Sequence, residues 1–470
     1  MRDKLLPDIA TALKEAGLAD GMALSFHHHL RNGDHVLNAV LDAAAALGAR
    51  GLTLVASSLF PVHKPVLEHI KNGVIRAIDT NYMSGPLAAG ISRGVLDEPV
   101  LFRSHGGRPR AIREGSRPVD IACIAAPGVD FMGNISGSAG PSSCGSLGYA
   151  APDADCAQTV IAVTDTLSPR PLEHVSISHD RISHIVRMDS IGDPSGIVSG
   201  STAMTRDPVA HAIARNAQAA IRASGLLRDG FNFQTGAGGA SLAAARYLRE
   251  DMERLGIHGG FLLGGITKYL VDMLEAGLFD AIYDVQCFDL AAVESIRRNP
   301  AHHEITADAY ACPSAKSCCV DYLDVVLLGA SEVDLNFNVN VHTDSNGMII
   351  GGSGGHNDAA AGAAMTVIAA PLVRARLPIV VERCTTVTTP GKTVDVLVTE
   401  RGLAVNPARP DLLDRFRDAR LPVRPIEELR AMALKITGTP RPLEHGDKVV
   451  GLVEYRDGTL IDSIYSPAGE

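Results

Sequence analysis

The second half of this chain repeats the first. Residues 20–59 run DGMALSFHHHLRNGDHVLNAVLDAAAALGARGLTLVASSL, and residues 229–267 run DGFNFQTGAGGASLAAARYLREDMERLGIHGGFLLGGIT. Each has Asp-Gly, a short apolar strand, a polar or glycine loop, a helix-like stretch and a glycine-marked turn into a second apolar strand. HIKNGVIRAI at 69–78 faces MLEAGLFDAI at 273–282, and VDIACIAAPGVDFMGN at 119–134 faces LDVVLLGASEVDLNFN at 323–338. The offset is 204 in both cases (273 − 69 and 323 − 119). Chance similarity of strand–loop–helix units explains one such block but not three in one order. The fold expected is therefore α/β: two tandem, internally duplicated open domains whose loops meet at a shared cleft, where ligands usually bind.

Short β-branched runs alternate with helix-like stretches: LTLVAS (52–57), DIACIAA (120–126), TVIAVTD (159–165), FLLGG (261–265), DVVLLGA (324–330) and PIVVER (378–383). Such continuous apolar runs fit strands buried on both faces of a mainly parallel sheet. Asp207-Pro208 starts a helix with Asp as its N-cap, and Gly225 stands at its end. This helix is expected to close the first half. It divides the chain into residues 1–226 and 227–470. A C-terminal hairpin turning at Asp457-Gly458 has no counterpart in the first half.

At 470 residues, 46% apolar and 20% charged, the composition is that of an ordinary globular protein with two or three domains. The net charge of −10, the absence of Trp and the lack of a basic stripe argue against a nucleic-acid partner. No apolar run approaches the ~20 residues that cross a bilayer, and the N-terminus reads as an amphipathic helix and not as a signal peptide. The eight cysteines form no C-x-x-C pair. Reduced thiols and a cytoplasmic location are expected.

Four segments carry the candidate chemistry. In MIIGGSGGHNDAAAGAAMTVIAA (348–370) an apolar strand runs into Gly351, Gly352, Gly354 and Gly355, and then into an alanine-rich helix with Asp358. A tight packing turn accounts for the glycines, but free N–H groups at that point favour an anion or thioester site. QTGAGGAS (234–241) is a second such loop, with Gly236, Gly238 and Gly239, and its positional twin is FHHHLRNG (26–33). His27, His28 and His29 are adjacent, without HExxH or H-x-x-x-H spacing, so no metal is expected. At least one imidazole should point into the cleft as a donor or proton carrier. RSHGGRPR (103–110) holds Arg103, Arg108 and Arg110 beside two glycines and reads either as a solvated basic loop or as a carboxylate clamp; Arg31 or Arg103 is expected to hold the substrate's carboxylates. GNISGSAGPSSCGSLG (133–148) reads as a linker or as a functional loop.

These segments resemble the CoA-transferase superfamily over nearly the whole chain. QTGAGGAS resembles its glycine loop, SEVDLNFNVN with GGSGGHND its E-V-D-L strand and G-x-G-G-Q-x-D loop, and DVLVTERGLA its V-T-E-Y-G-V-A signature. Within it, SFHHHLRNGDHVLN, LFRSHGGRPRAI and GSAGPSSCGSLG look like the alpha-subunit family of citrate lyase. The resemblance implies a transferase that exchanges citrate for acetate on the thioester of an acyl carrier protein. Its implied partners are the acyl-carrier (gamma) and lyase (beta) subunits of an oligomeric complex. It implies no cofactor on this chain itself, the thioester being borne by the CoA-like phosphopantetheine of the carrier protein. Covalent superfamily members carry a glutamate in G-I-H-T-E-M, where this chain has Gly260 in GIHGGF. The resemblance then implies direct transfer through a mixed anhydride, with His27, His28, His29, Gly354 and Gly355 as catalytic candidates. Arg31, Arg103, Arg108, Gly236, Gly238, Gly239, Gly352 and Asp358 are the candidate substrate contacts. A malonate decarboxylase-type subunit, a free-standing acyl-CoA:carboxylate CoA-transferase and a carrier-binding scaffold are the competing readings.

Overall fold

A computed structural model describes residues 4–198, 205–236 and 238–468. Two large sheets dominate it. The first has ten strands and the second eight. In the first, Ala23–Phe26 lies between Ile121–Ala125 and Leu52–Ala56, followed outward by Ile75–Thr80 and Val100–Phe102. In the second, Phe231–Thr235 lies between Val325–Leu328 and Gly259–Ile266, followed outward by Phe279–Cys287 and His302–Glu304. The neighbours correspond one for one, and all of these pairings are parallel. The strands are apolar on both faces because helices cover both sides, as parallel sheets require.

The duplication extends to single hydrogen bonds. After each sheet's central pair, a short hairpin turns on an aspartate. Asp130 accepts from the N–H groups of Met132, Gly133 and Asn134, and from the Asn134 amide. Asp334 accepts from the N–H groups of Asn336 and Asn338, and from the Asn338 amide. One Asp-x-x-x-Asn turn is thus used twice. Its left-handed position is Gly133 in the first half (φ 100°) and Phe337 in the second (φ 63°). Phe337 tolerates that backbone because its ring is buried in the core.

Two connections cross the division expected at residue 226. The helix Pro208–Ser224 has the expected Asp207 cap and a left-handed Gly225 at its end. Yet it packs on the second half: Gln218 bonds Asp251, and Asn216 donates to the Thr399 carbonyl. Its buried face is Ile213, Ala214, Ala217, Ala220 and Ile221, small enough to lie close on the helix Gly239–Leu255. Cap residues fix where a helix ends but not which layer receives it. The hairpin His445–Glu454/Leu460–Pro467 turns at Asp457-Gly458 and extends the first sheet, pairing parallel with Val100–Phe102. The chain end thus belongs to the first half's sheet. Among the described residues, no helix is long and apolar enough to cross a membrane.

Candidate active site

The loops that follow the carboxyl ends of the strands converge on one cleft, as expected for open α/β sheets. Its volume is about 370 Å³. The first half contributes His28, Arg31, Phe60, Tyr82, His105 and Tyr149. The second contributes Gln234, Thr235, Gly236, Gly265, Phe288 and Tyr310, with Gly352–His356 along one wall. No Asp, Glu or Cys is among the described residues that line it.

The three adjacent histidines separate. Only His28 lines the cleft. Its Nδ1 lies 2.6 Å from Ser57 Oγ, and its ring stacks on Tyr149 and His105, with centroids 4.9 and 5.4 Å apart. Burial, then the neighbouring charges of His105 and Arg31, hold its pKa well below the ordinary imidazole value. His29 turns inward to the Ala125 carbonyl at 2.7 Å, and burial lowers it to about 3. His27 is buried against His29, with Asp153 at 3.9 Å. Alternation along the chain sends successive side chains to opposite sides, so three in a row cannot share one cleft. Among the described residues no group of three or more His, Cys, Asp or Glu side chains is placed to hold a metal ion.

The arginines separate too. Arg31 lines the cleft, with its guanidinium over the rings of Phe60 (5.0 Å) and Phe288 (4.6 Å) and no carboxylate partner among the described residues. Its backbone is left-handed (φ 53°), a strained conformation for a long side chain. Burial lowers its pKa to about 10, so it stays charged near neutrality. Arg103 is buried and bound to Asp79 and Glu454. Arg108 is buried against Asp153 and Ser25. Neither lines the cleft: RSHGGRPR is an ion-paired structural segment and not a clamp, and the residue in it that reaches the cleft is His105.

The glycine loop 351–355 is partly a packing turn. Gly354 N–H donates to the Asn81 carbonyl, its own carbonyl accepts from His105 N–H, and the Gly351 carbonyl accepts from Met83 N–H. A Cβ at Gly352 would collide with the Asn81 carbonyl, and one at Gly355 with Tyr310 Oη. The N–H groups of Gly352, Ser353 and Gly355 have no partner among the described residues. Asp358 sits behind the loop, fully buried, accepting from Ser104 Oγ (2.8 Å) and Gly106 N–H (2.9 Å). It ties the two halves together without lining the cleft. Gly236 lines the cleft but gives its N–H to the Leu327 carbonyl. Gly238 and Gly239 stand back at the start of the helix Gly239–Leu255. The 133–148 loop packs across the halves, with Leu147 N–H on Glu304 and Gly145 against Cys287.

Gly260 lies near the start of the strand Gly259–Ile266, whose other end, at Gly265, reaches the cleft. Five residues of strand span about 16 Å. The missing glutamate at 260 therefore says nothing about cleft chemistry. The absence of any carboxylate among the described lining residues takes its place. Sequence reading passed over Phe60, Tyr82, Tyr149, Phe288 and Tyr310. They come from four separate loops and, for Tyr310, the short helix Ala307–Ala311, with no shared motif. His105 lies within RSHGGRPR and His356 within GGSGGHND, beside the arginines and glycines singled out there. His356 is fixed by Thr389 and the Gly329 carbonyl, and burial lowers it to about 4.

The sequence profile of the citrate lyase alpha-subunit family matches residues 2–466. The chain belongs to the citrate lyase alpha-subunit family. It is 48% identical to the citrate lyase alpha chain of Klebsiella pneumoniae over 461 residues, which is 98% of this chain and 91% of that one. To the Escherichia coli (strain K12) citrate lyase alpha chain it is 47% identical over 462 residues, again 98% and 91%. Among solved structures, a Streptococcus mutans protein described as the alpha subunit of citrate lyase, in complex with citrate, superposes with a TM-score of 0.97. The identity there is 47%, over 99% of this chain and 91% of that one. The malonate decarboxylase alpha subunit from Acinetobacter baumannii shares the fold (TM-score 0.67, 16% identity, 93% of each chain).

Proposed function

We propose that this citrate lyase alpha subunit exchanges citrate for acetate on the thioester of an acyl-carrier-protein subunit, forming citryl carrier protein and acetate. The observation that carries the reading is the cleft between the halves. It joins one unpaired guanidinium, a neutral imidazole and free backbone N–H groups, with no carboxylate among its described lining residues. A polycarboxylate buried there needs a fixed cation, because an unpaired buried charge is very costly. Arg31 supplies it, held by Phe60 and Phe288 in a two-pronged geometry that lysine lacks. The relative solved with citrate supports citrate as the acid.

A citrate carboxylate attacks the acetyl carbonyl, giving a mixed anhydride and the carrier thiolate. The thiolate attacks the citryl carbonyl of the anhydride, releasing acetate. Both steps pass through tetrahedral oxyanions that N–H donors stabilise. Holding both acyl groups in one cleft supplies the proximity. The carrier thioester enters on the phosphopantetheine arm of the gamma subunit, and the beta subunit cleaves the citryl product. The test is a transfer assay with purified acetyl carrier protein, comparing citrate with malonate and the carrier protein with free acetyl-CoA. Citrate with the carrier protein should be preferred. Preference for malonate, or no transfer at all, would overturn the reading.

A further inference from the structure

We propose that Ser57 is a positioning residue that fixes the tautomer of His28, so that the neutral imidazole presents its Nε2–H to the acyl oxyanion in the cleft. The inference rests on the cleft being the transfer site.

Ser57 is fully buried at the end of the strand Leu52–Ala56. Its Oγ has two partners among the described residues, both on His28: the backbone N–H at 3.0 Å and ring Nδ1 at 2.6 Å. The backbone N–H can only donate, so Oγ accepts there. A hydroxyl has a single hydrogen, and the one acceptor in reach is Nδ1. If Nδ1 carried the proton, the Ser57 hydrogen would be left unbonded in a dry site, which is costly. The arrangement therefore leaves Nδ1 bare and places the proton on Nε2. Nε2 has no protein partner, yet it is absent from the enclosed unpaired atoms, and His28 lines the cleft. It opens on the space where the substrates meet.

Three further contacts fix the ring in place. Gln286, from the second half, donates to the His28 carbonyl at 2.9 Å. The rings of Tyr149 and His105 stack against the imidazole. Burial, with the charges of His105 and Arg31, keeps the ring neutral, so it can act as a hydrogen-bond donor that needs no proton from solution. Arg31 then holds the carboxylates while His28 meets the charge that develops only in the transition state.

The experiment is histidine-selective ¹⁵N NMR of the substrate-free full chain, with the His28 signals assigned by their loss in His28→Gln. The wild type should show a bare Nδ1 and a protonated Nε2, and Ser57→Ala should lose that preference. Ser57→Thr, which keeps the hydroxyl, should retain it. In transfer assays Ser57→Ala should lower kcat on the order of 10²-fold, with citrate binding by calorimetry within about twofold of wild type, and Ser57→Thr should recover most of the loss. A protonated Nδ1 in the wild type, or an undiminished kcat in Ser57→Ala, would overturn the inference. The expected tautomer in a chain that transfers no citrate would instead sink the functional reading, because the NMR needs no substrate.

Discussion

The Arg31 guanidinium of the first half lies 4.6 Å from the ring of Phe288 in the second. The cation that should hold citrate is thus set in place by both halves together, on a strained backbone (φ 53°). Arg31→Gln removes the charge and leaves the backbone. A charge-assisted hydrogen bond contributes about 1.5–3 kcal/mol. Citrate affinity measured by calorimetry should therefore fall roughly 10- to 100-fold, with the KM for acetyl carrier protein little changed. Unchanged citrate affinity would move the anchor elsewhere.

Arg103 should behave oppositely. It is buried between Asp79 and Glu454, and it links the Ile75–Thr80 strand to the C-terminal hairpin. Burial disfavours its charge, but the two carboxylates outweigh this and hold its pKa above the ordinary value. Arg103→Gln leaves two buried carboxylates short of a partner, which costs about 3–5 kcal/mol. Denaturant unfolding should show that loss, while the folded fraction binds citrate as before. A selective loss of citrate affinity at full stability would restore Arg103 to the site.

At Gly355 the nearest obstacle is Tyr310 Oη, with Cε1 and Cζ of the same ring close behind it. Gly355→Ala should reduce transfer and cost about 1–3 kcal/mol of stability from overpacking. Adding Tyr310→Phe removes the colliding oxygen, so the double variant should recover part of both. The coupling expected for residues in contact is about 1 kcal/mol. Strict additivity of the two changes would show that the collision is relieved by other means.

Asp358 gives a pH signature. Burial raises its carboxyl to about 6, against the opposing pull of Arg456 and of the Gly106 and Ser104 donors. Its folded value lies above its unfolded one, so between about pH 4 and pH 6 the folded chain holds more protons than the unfolded. The stability it contributes is present at the acid end of that window and is lost as pH rises through it. Relative to Asp358→Asn, the wild type should lose on the order of 3 kcal/mol across the window, as read by denaturant midpoints at each pH. A difference that stays flat with pH would contradict the buried, raised carboxyl.

The duplicated α/β plan was legible because strand runs, glycine stops and block order repeat along the chain. What escaped was partnership across it. Asp207, Pro208 and Gly225 mark the ends of a helix, but nothing local says that Asn216 and Gln218 reach the second half. The triple histidine marked a loop that reaches the cleft, and only the alternation of side chains separates His28 from its neighbours. The arginines near 103–110 looked free because Asp79, Asp153 and Glu454 lie far from them in sequence. The aromatic lining was invisible for the same reason: each ring comes from a separate segment, and only folding assembles them.

The central claim is that the acyl group passes directly between citrate and the carrier thiol, without resting on this chain. The most direct measurement is rapid-quench intact-mass analysis of the chain during turnover with acetyl carrier protein, with and without citrate. The account predicts an unmodified chain in both samples, and citryl carrier protein only where citrate is present. An acyl adduct on the chain that forms with acetyl carrier protein alone, and is consumed when citrate is added, would contradict it.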